Sequence, residues 1–162
     1  MNGFTENTTS GASEKPSRRD VVLTWDTACR MLPLVRHIVG DIVSRWQHLA
    51  QVQLEKERLD RHKRTLTWPE RSRRYQLQEE TAAGEKHLHE ALTELQGLGV
   101  ALFSPAQGLI GFPTRVNERP AFFSWQPGEE SLQFWHFEEG SERLPIPVHW
   151  MKPSGVRLRS KS

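Results

Sequence analysis

The sequence predicts an α+β fold, in which a long antiparallel helical hairpin is followed by a small antiparallel β-meander. Two observations predict the hairpin: apolar residues recur at helical spacing in two long segments, and a break at Trp68-Pro69 separates these segments. A third observation predicts the sheet, because prolines, glycines and aromatic residues replace the helix-forming residues from Val100 onward. Two long helices that are joined by a short break are expected to pack antiparallel.

The first helix is predicted over about residues 26–64. Thr24 or Asp26 can accept hydrogen bonds from the free amides of its first turn, and Pro33 predicts a kink or a late start. Its apolar stripe has 3-4-3-4-3 spacing and comprises Leu32, Val35, Val39, Ile42, Trp46 and Leu49. This spacing predicts a coiled-coil-like seam that forms the core, with Trp46 buried in it.

The second helix is predicted over about residues 69–97. Pro69 suits the first turn of a helix, and Glu70 is favourable near its positive end. The apolar pattern of this helix comprises Tyr75, Leu88, Leu92 and Leu95. Gly97 and Gly99 then predict its C-terminal end.

The sheet is predicted over about residues 109–137, with strands near 109–113, 120–126 and 131–137. Asn117-Glu118 and Pro127-Gly128 mark the two turns. One predicted face carries Ile110, Phe112, Phe122, Ser124, Leu132 and Phe134, and the other carries Leu109, Gly111, Phe123, Trp125 and Trp135. Both faces are apolar, so both require cover, and the hairpin can cover only one of them. We therefore predict either that the Trp125/Trp135 face is an association surface or that the apolar segment 145–150 covers it.

Composition limits the classes of protein. Residues 1–20 predict a disordered tail, residues 21–151 a single domain, and residues 152–162 a basic tail. A formal charge of +2 is too small to argue for nucleic acid. There is no secretory signal and no long apolar run, and Cys29 is the only cysteine, so we expect a cytoplasmic protein without a membrane span.

A set of residues resembles the pattern of a known family. The set comprises Thr24, Ala28, Leu32 and Pro33, then Leu98-Gly99-Val100, Gly108-Leu109-Ile110-Gly111-Phe112-Pro113, Trp125, Gly128-Glu129, Leu132, Phe134-Trp135-His136 and Arg143-Leu144-Pro145-Ile146. Over about residues 24–147 the chain resembles the bacterial domain of unknown function 2203. The resemblance implies this architecture and a cytoplasmic setting, and it carries no assigned activity.

The chain departs from the pattern that this resemblance implies. Gly111 stands where the family usually has Asp, and Ser124 stands where it usually has Cys. The segment between His136 and Arg143 is about two residues shorter than usual and lacks the usual Gly-Phe. If the Asp or this loop serves a chemical role, this member is expected to lack that role.

The strongest polar candidates for catalytic or ligand-binding residues are Glu129, His136 and Arg143. Glu129 and His136 are seven residues apart, or on the order of 20 Å along one strand, so we expect them not to share a site. We expect Glu129 to bind turn amides, and His136 to cap its strand or to pair near Arg143.

Two charged features favour a solvated surface over a binding site. His87 and His89 point about 200° apart on a helix, which is wrong for a shared metal, and we predict no metal and no cofactor. A basic cluster surrounds the helical break and comprises Arg58, Arg61, Lys63, Arg64, Arg71, Arg73 and Arg74. Interleaved acidic residues predict a salt-bridged tip and argue against nucleic acid.

The preferred interpretation is a non-enzymatic protein-interaction or adaptor module that is homodimeric or binds an unidentified protein. The candidate surface comprises Phe123, Trp125, Trp135, His136 and Arg143, supported by the motif residues Phe112, Pro113, Gly128 and Glu129. The alternative is an enzyme or a small-ligand binder with its site near His136, Arg143 and Trp135. A pocket that joins these three residues would favour the alternative.

Overall fold

The structure is a computed structural model and describes residues 22–140 and 142–151; the tails predicted at 1–20 and 152–162 lie outside these ranges. Two helices come first, α1 (Trp25–Asp60) and α2 (Trp68–Gly97). Five strands follow, β1 (Ala101–Ser104), β2 (Leu109–Val116), β3 (Arg119–Trp125), β4 (Phe134–Phe137) and β5 (Leu144–Pro145), and a short 3₁₀ helix (Val148–Trp150) comes last. The strands form one antiparallel sheet in sequential order. The predicted α+β class, helical hairpin and meander are thus confirmed.

Helix α1 begins where a capping side chain is available. Thr24 accepts a hydrogen bond from the Thr27 amide at 3.2 Å, as predicted. The helix then continues past Pro33 to Asp60, so the predicted late start is wrong. Tertiary contacts hold the turns before Pro33: the Trp25 indole donates a hydrogen bond to the carbonyl of Leu132, and Ala28 is fully buried.

Helix α2 is bounded by local signals that the sequence predicts. The Glu70 carboxylate accepts a hydrogen bond from the Thr67 amide at 2.7 Å, which satisfies a free donor at the first turn. After α2, Gly99 adopts a positive φ of 79°, which favours glycine. Arg73 pairs with Glu55 and Arg74 pairs with Asp60, so the predicted salt-bridged tip is also confirmed.

The seam between the helices differs from the predicted one at two aromatic residues. Trp46 is 40% exposed and Tyr75 is 66% exposed, so both predictions of burial are wrong. Leu77 is fully buried instead, and it lies two residues from Tyr75, on the other side of α2. The rest of the predicted α1 stripe is buried.

The sheet is larger than predicted, and β2 has a different register. Strands β1 and β5 were not predicted, since they are only four and two residues long. The turn at Asn117 and Glu118 puts both residues at positive φ and pairs Val116 with Arg119. Phe112 therefore lies opposite Phe123, not on the face of Phe122, and the predicted face assignment of β2 is wrong.

The core lies between the hairpin and one face of the sheet. Alternate residues of the sheet pack against α1 and close a single buried cluster, whose sheet members include Ile110, Phe112, Ala121, Phe123, Trp125 and Trp135. Arg36 spans the two layers: it donates a hydrogen bond to the Glu130 carbonyl and lies 5.5 Å from the centre of the Trp125 ring. No helix of the described residues is both long enough and apolar enough to span a membrane.

Candidate functional site

The face of the sheet that points away from the helices is called the open face below. It carries Ala101 and Phe103 of β1, Gly111, Pro113 and Arg115 of β2, Pro120, Phe122 and Ser124 of β3, and Phe134 and His136 of β4. Successive strand residues alternate between faces, so His136 and Trp135 point to opposite sides of the sheet.

Three residues of the predicted association surface are part of the core. Phe123, Trp125 and Trp135 are buried within the chain, so the prediction that they face a partner is wrong. Helix α1 covers Trp125, and the Trp150 ring lies 5.2 Å from the Trp135 ring. The segment 145–150 thus supplies the cover that the sequence offered as the other interpretation.

A polar cluster on the open face is centred on Arg143. Its guanidinium makes two hydrogen bonds to the Glu129 carboxylate, at 2.6 and 3.0 Å, and two more to Ser124, to the hydroxyl at 2.8 Å and to the carbonyl at 3.2 Å. It also lies 4.5 Å from the centre of the Phe134 ring. The predicted contact of Glu129 with turn amides is therefore wrong for its carboxylate. Each bond ties the loop at Arg143 to the sheet, which is a structural role.

An aromatic cluster lies on the same face and comprises Phe103, Phe122 and His136. The Phe103 ring is edge-on to both Phe122 and His136, with centroids 5.1 Å apart in each case. His136 is buried, and its Nδ1 lies 2.9 Å from the Phe137 carbonyl. A carbonyl only accepts hydrogen bonds, so Nδ1 is the donor in this contact.

Gly111 leaves the space into which Phe103 packs. A Cβ atom at this position would lie 2.6 Å from Cε2 of Phe103 and 2.8 Å from Cβ of Phe122. Gly111 is also the direct cross-strand partner of Ser124. Gly111 and Ser124, where the resemblance implies Asp and Cys, therefore lie side by side, between the aromatic cluster and Arg143.

A cavity of about 500 Å³ opens beside the aromatic cluster. The end of α2 and the start of β1 form one wall, and the outer parts of β2 and β3 form the other. The lining includes Phe103, Pro113, Arg115, Pro120, Phe122 and Glu138. Phe103 is 43% exposed. His136, Arg143 and Trp135 do not line this cavity, so it is not the pocket that the enzyme interpretation requires.

The remaining motif residues stabilise the fold and do not belong to the two clusters on the open face. Phe112 is fully buried in the core, and the Pro113 carbonyl accepts a hydrogen bond from the Leu23 amide at 2.7 Å. Gly128 adopts a φ of 101°, in the turn that brings Glu129 under Arg143. The sequence did not point to Phe103, because it lies on a four-residue strand without a clear alternating pattern.

No group of three or more His, Cys, Asp or Glu side chains in the part of the chain that the structure describes could hold a metal ion. His87 and His89 are both exposed on α2, as their spacing predicts. Burial raises the pKa of Cys29 to about 11, and the nearby Asp26 carboxylate adds to this, so the thiol is protonated at neutral pH. Cys29 is therefore a weak nucleophile.

The fold and the open face define a class: a two-layer α+β protein in which a helical hairpin backs a meander and the other face of the sheet carries a cavity. Residues 22–144 match the family described as "Uncharacterized conserved protein (DUF2203)". The chain belongs to this family, and the resemblance noted in the sequence is confirmed. No curated protein and no solved structure matches the chain.

Proposed function

We propose that the chain is a non-enzymatic protein-interaction module that receives an extended segment of a partner protein at the open-face cavity. The observation that carries this proposal is an aromatic side chain, Phe103, left 43% exposed at the mouth of a cavity of about 500 Å³. Exposed apolar surface at a concave site is typical of recognition surfaces.

The edge of β2 supports an extended ligand. Strand β1 pairs with β2 only as far as Gly111, whereas β2 continues to Val116. Beyond Gly111, the Pro113 carbonyl bonds to the Leu23 amide. The cavity lies along this part of β2. Because Pro113 has no amide hydrogen and its carbonyl is already bonded, an extended segment there would be held chiefly by side chains that enter between Phe103 and Pro120.

The polar groups of the open face support binding over catalysis. The Arg143 guanidinium is bonded to Glu129 and Ser124, and the hydrogen on Nδ1 of His136 is bonded to a carbonyl. Trp135 lies on the opposite face of the sheet from His136, which supports the binding interpretation over the enzyme alternative.

The test is selection of peptides from a random display library on the full chain, followed by affinity measurement with synthetic copies of the enriched peptides. Phe103→Lys should weaken binding by at least roughly 10-fold, because it replaces buried apolar contact with a charge. Val148→Lys is the matched control, since Val148 is 83% exposed and does not line the cavity. The proposal is wrong if no peptide is enriched, or if the enriched peptides bind both variants equally.

The sequence predicts a homodimer on the Trp125/Trp135 face, which is core in the structure, so a second copy of the chain is a competing occupant of the open face instead. A second copy seated there would make Phe103→Lys a monomer in sedimentation equilibrium while Val148→Lys stayed dimeric. In that case the partner segment belongs to this chain, and free peptides should compete with dimer formation.

A further inference from the structure

The far end of the hairpin carries two exposed aromatic side chains. This region, residues 55–75, is called the hairpin tip below. Trp68 is 74% exposed and Tyr75 is 66% exposed. They are seven residues apart on α2, which is two helical turns, so both point to the same outer side at a rise of about 10 Å. Arg71, also exposed, lies between them within roughly 60° of that side.

The hairpin tip concentrates positive charge. It contains eight Lys and Arg residues against four Asp and Glu residues, a net +4, whereas the whole chain has a net charge of +2. The rest of the chain is therefore net −2. A charge separation of this size directs an anionic ligand to the tip.

The structure shows which charges are already paired. Glu55 binds Arg73 and Asp60 binds Arg74, and these hydrogen bonds lower the pKa of both carboxyls. Within residues 22–140 and 142–151, no carboxylate forms an ion pair with Arg61, Arg64 or Arg71. Two of the four acidic residues that argued against nucleic acid in the sequence, Glu55 and Asp60, are thus engaged with Arg73 and Arg74. Arg61, Arg64 and Arg71 are exposed and, among the described residues, carry no such pair.

We infer that the hairpin tip binds single-stranded nucleic acid. Trp68 and Tyr75 provide faces on which unpaired bases stack, while Arg61, Arg64 and Arg71 contact phosphates. Duplex bases are already stacked on one another, so single strands are favoured.

A membrane surface fits the tip less well. A helix that lies in a bilayer interface needs a continuous apolar face. The outer side of α2 continues from Tyr75 to Glu79, Ala82 and Lys86, which are exposed and mostly polar or charged. Two isolated aromatic residues among cations suit bases and phosphates better than acyl chains.

The test measures fluorescence anisotropy of labelled 20-nucleotide single-stranded RNA, single-stranded DNA and duplex DNA with the full chain over a range of salt concentrations. Both single strands should bind more tightly than the duplex. Comparing the affinities of the RNA and DNA strands shows which of the two the hairpin tip prefers. Trp68→Ala combined with Tyr75→Ala should weaken binding by roughly 10-fold or more. Arg64→Glu should weaken binding and reduce the slope of log affinity against log salt by about 0.7 or more.

Lys86→Glu is the matched control for charge. Lys86 is exposed on the same side of α2 as Trp68, five turns away, and the substitution changes the net charge by the same amount as Arg64→Glu. The inference is wrong if the full chain binds no single strand, if Lys86→Glu and Arg64→Glu weaken binding equally, or if vesicles of anionic lipid bind while nucleic acid does not. Phe103→Lys should leave this binding unchanged, so failure of the peptide site and failure of the tip are separable.

Discussion

At the residue scale, Gly111 decides how the open face is packed. A glycine inside a strand normally weakens it, but here the missing side chain makes room for the Phe103 ring. The Asp that the family pattern implies at this position would occupy the same space. In this chain the aromatic cluster and the neighbouring cavity wall thus depend on a glycine.

Gly111→Ala should lower the free energy of unfolding by about 1–3 kcal/mol, because its Cβ would overlap Phe103 and Phe122. Urea unfolding followed by circular dichroism measures this change. Adding Phe103→Ala to Gly111→Ala should recover part of the loss. Gly140→Ala is the control, since the nearest atom to its added Cβ would be 3.6 Å away. An equal loss of unfolding free energy in the two variants would show that steric overlap at Gly111 is not the cause of the destabilisation.

The sequence could predict strands but not their exact pairing. The sequence predicts Ile110 and Phe112 on the face of Phe122, since its predicted strands end at 113 and begin again at 120 and so do not fix which residues pair across the turn. The structure uses a two-residue turn with positive φ at both Asn117 and Glu118, and a shift of one residue exchanges the faces. An Asn-Glu pair marks a turn without fixing its length, whereas Asn-Gly would have indicated two residues.

At the element scale, the hairpin shows how a sparse apolar pattern limits prediction. The stripe of α1 is predicted correctly at five of its six positions, all except Trp46, because apolar residues repeat there at one spacing. In α2 only Leu77, Leu88 and Leu95 are buried, and the sequence favoured Tyr75 over Leu77. The contact surface of α1 decides between them, and that surface is not a local property of α2.

Leu77→Ala should lower the free energy of unfolding by about 2–5 kcal/mol, because a fully buried side chain leaves a cavity. Tyr75→Ala should change it by no more than about 0.5 kcal/mol, since the ring is exposed. Thermal and urea unfolding of the two variants compare them directly. A larger cost for Tyr75 would restore the predicted seam and would remove the aromatic pair from the hairpin tip.

At the scale of the whole molecule, stability is unevenly distributed. The half of α1 before Ile42 lies against the sheet, and most of the buried residues of α1 are in this half. In the distal part of the hairpin, residues 43–85, the buried apolar residues are Leu49, Val52 and Leu77. The distal half of the hairpin is therefore expected to open without unfolding of the sheet.

Native-state hydrogen exchange should show lower protection for amides of residues 50–80 than for those of residues 28–42. Acid should widen this difference. Arg73 and Arg74 lower the pKa of Glu55 and Asp60, so their contribution to stability is present at neutral pH and is lost as the pH falls below about 4 through the lowered values. Uniform protection along the hairpin at both pH values would contradict this distribution.

The architecture is predictable because the helical period, the break and the turns are each determined by residues that are close together in sequence. The open-face site was not, because its contacts join residues that are far apart in sequence. Arg143 reaches Ser124 across 19 residues, and Phe103 reaches His136 across 33. Neither pair carries a motif that links its two members.

Helix α2 begins at Trp68, in the hairpin tip, and its last residue, Gly97, lines the open-face cavity. Thirty residues of helix set these two ends about 45 Å apart. A ligand on one end cannot touch a ligand of ordinary size on the other, so both can be held at once without steric conflict. Two molecules carried in this way would experience each other at an effective concentration on the order of millimolar. The helix then acts as a spacer. Changing its length by whole turns should change the effective concentration at which the two bound ligands encounter each other.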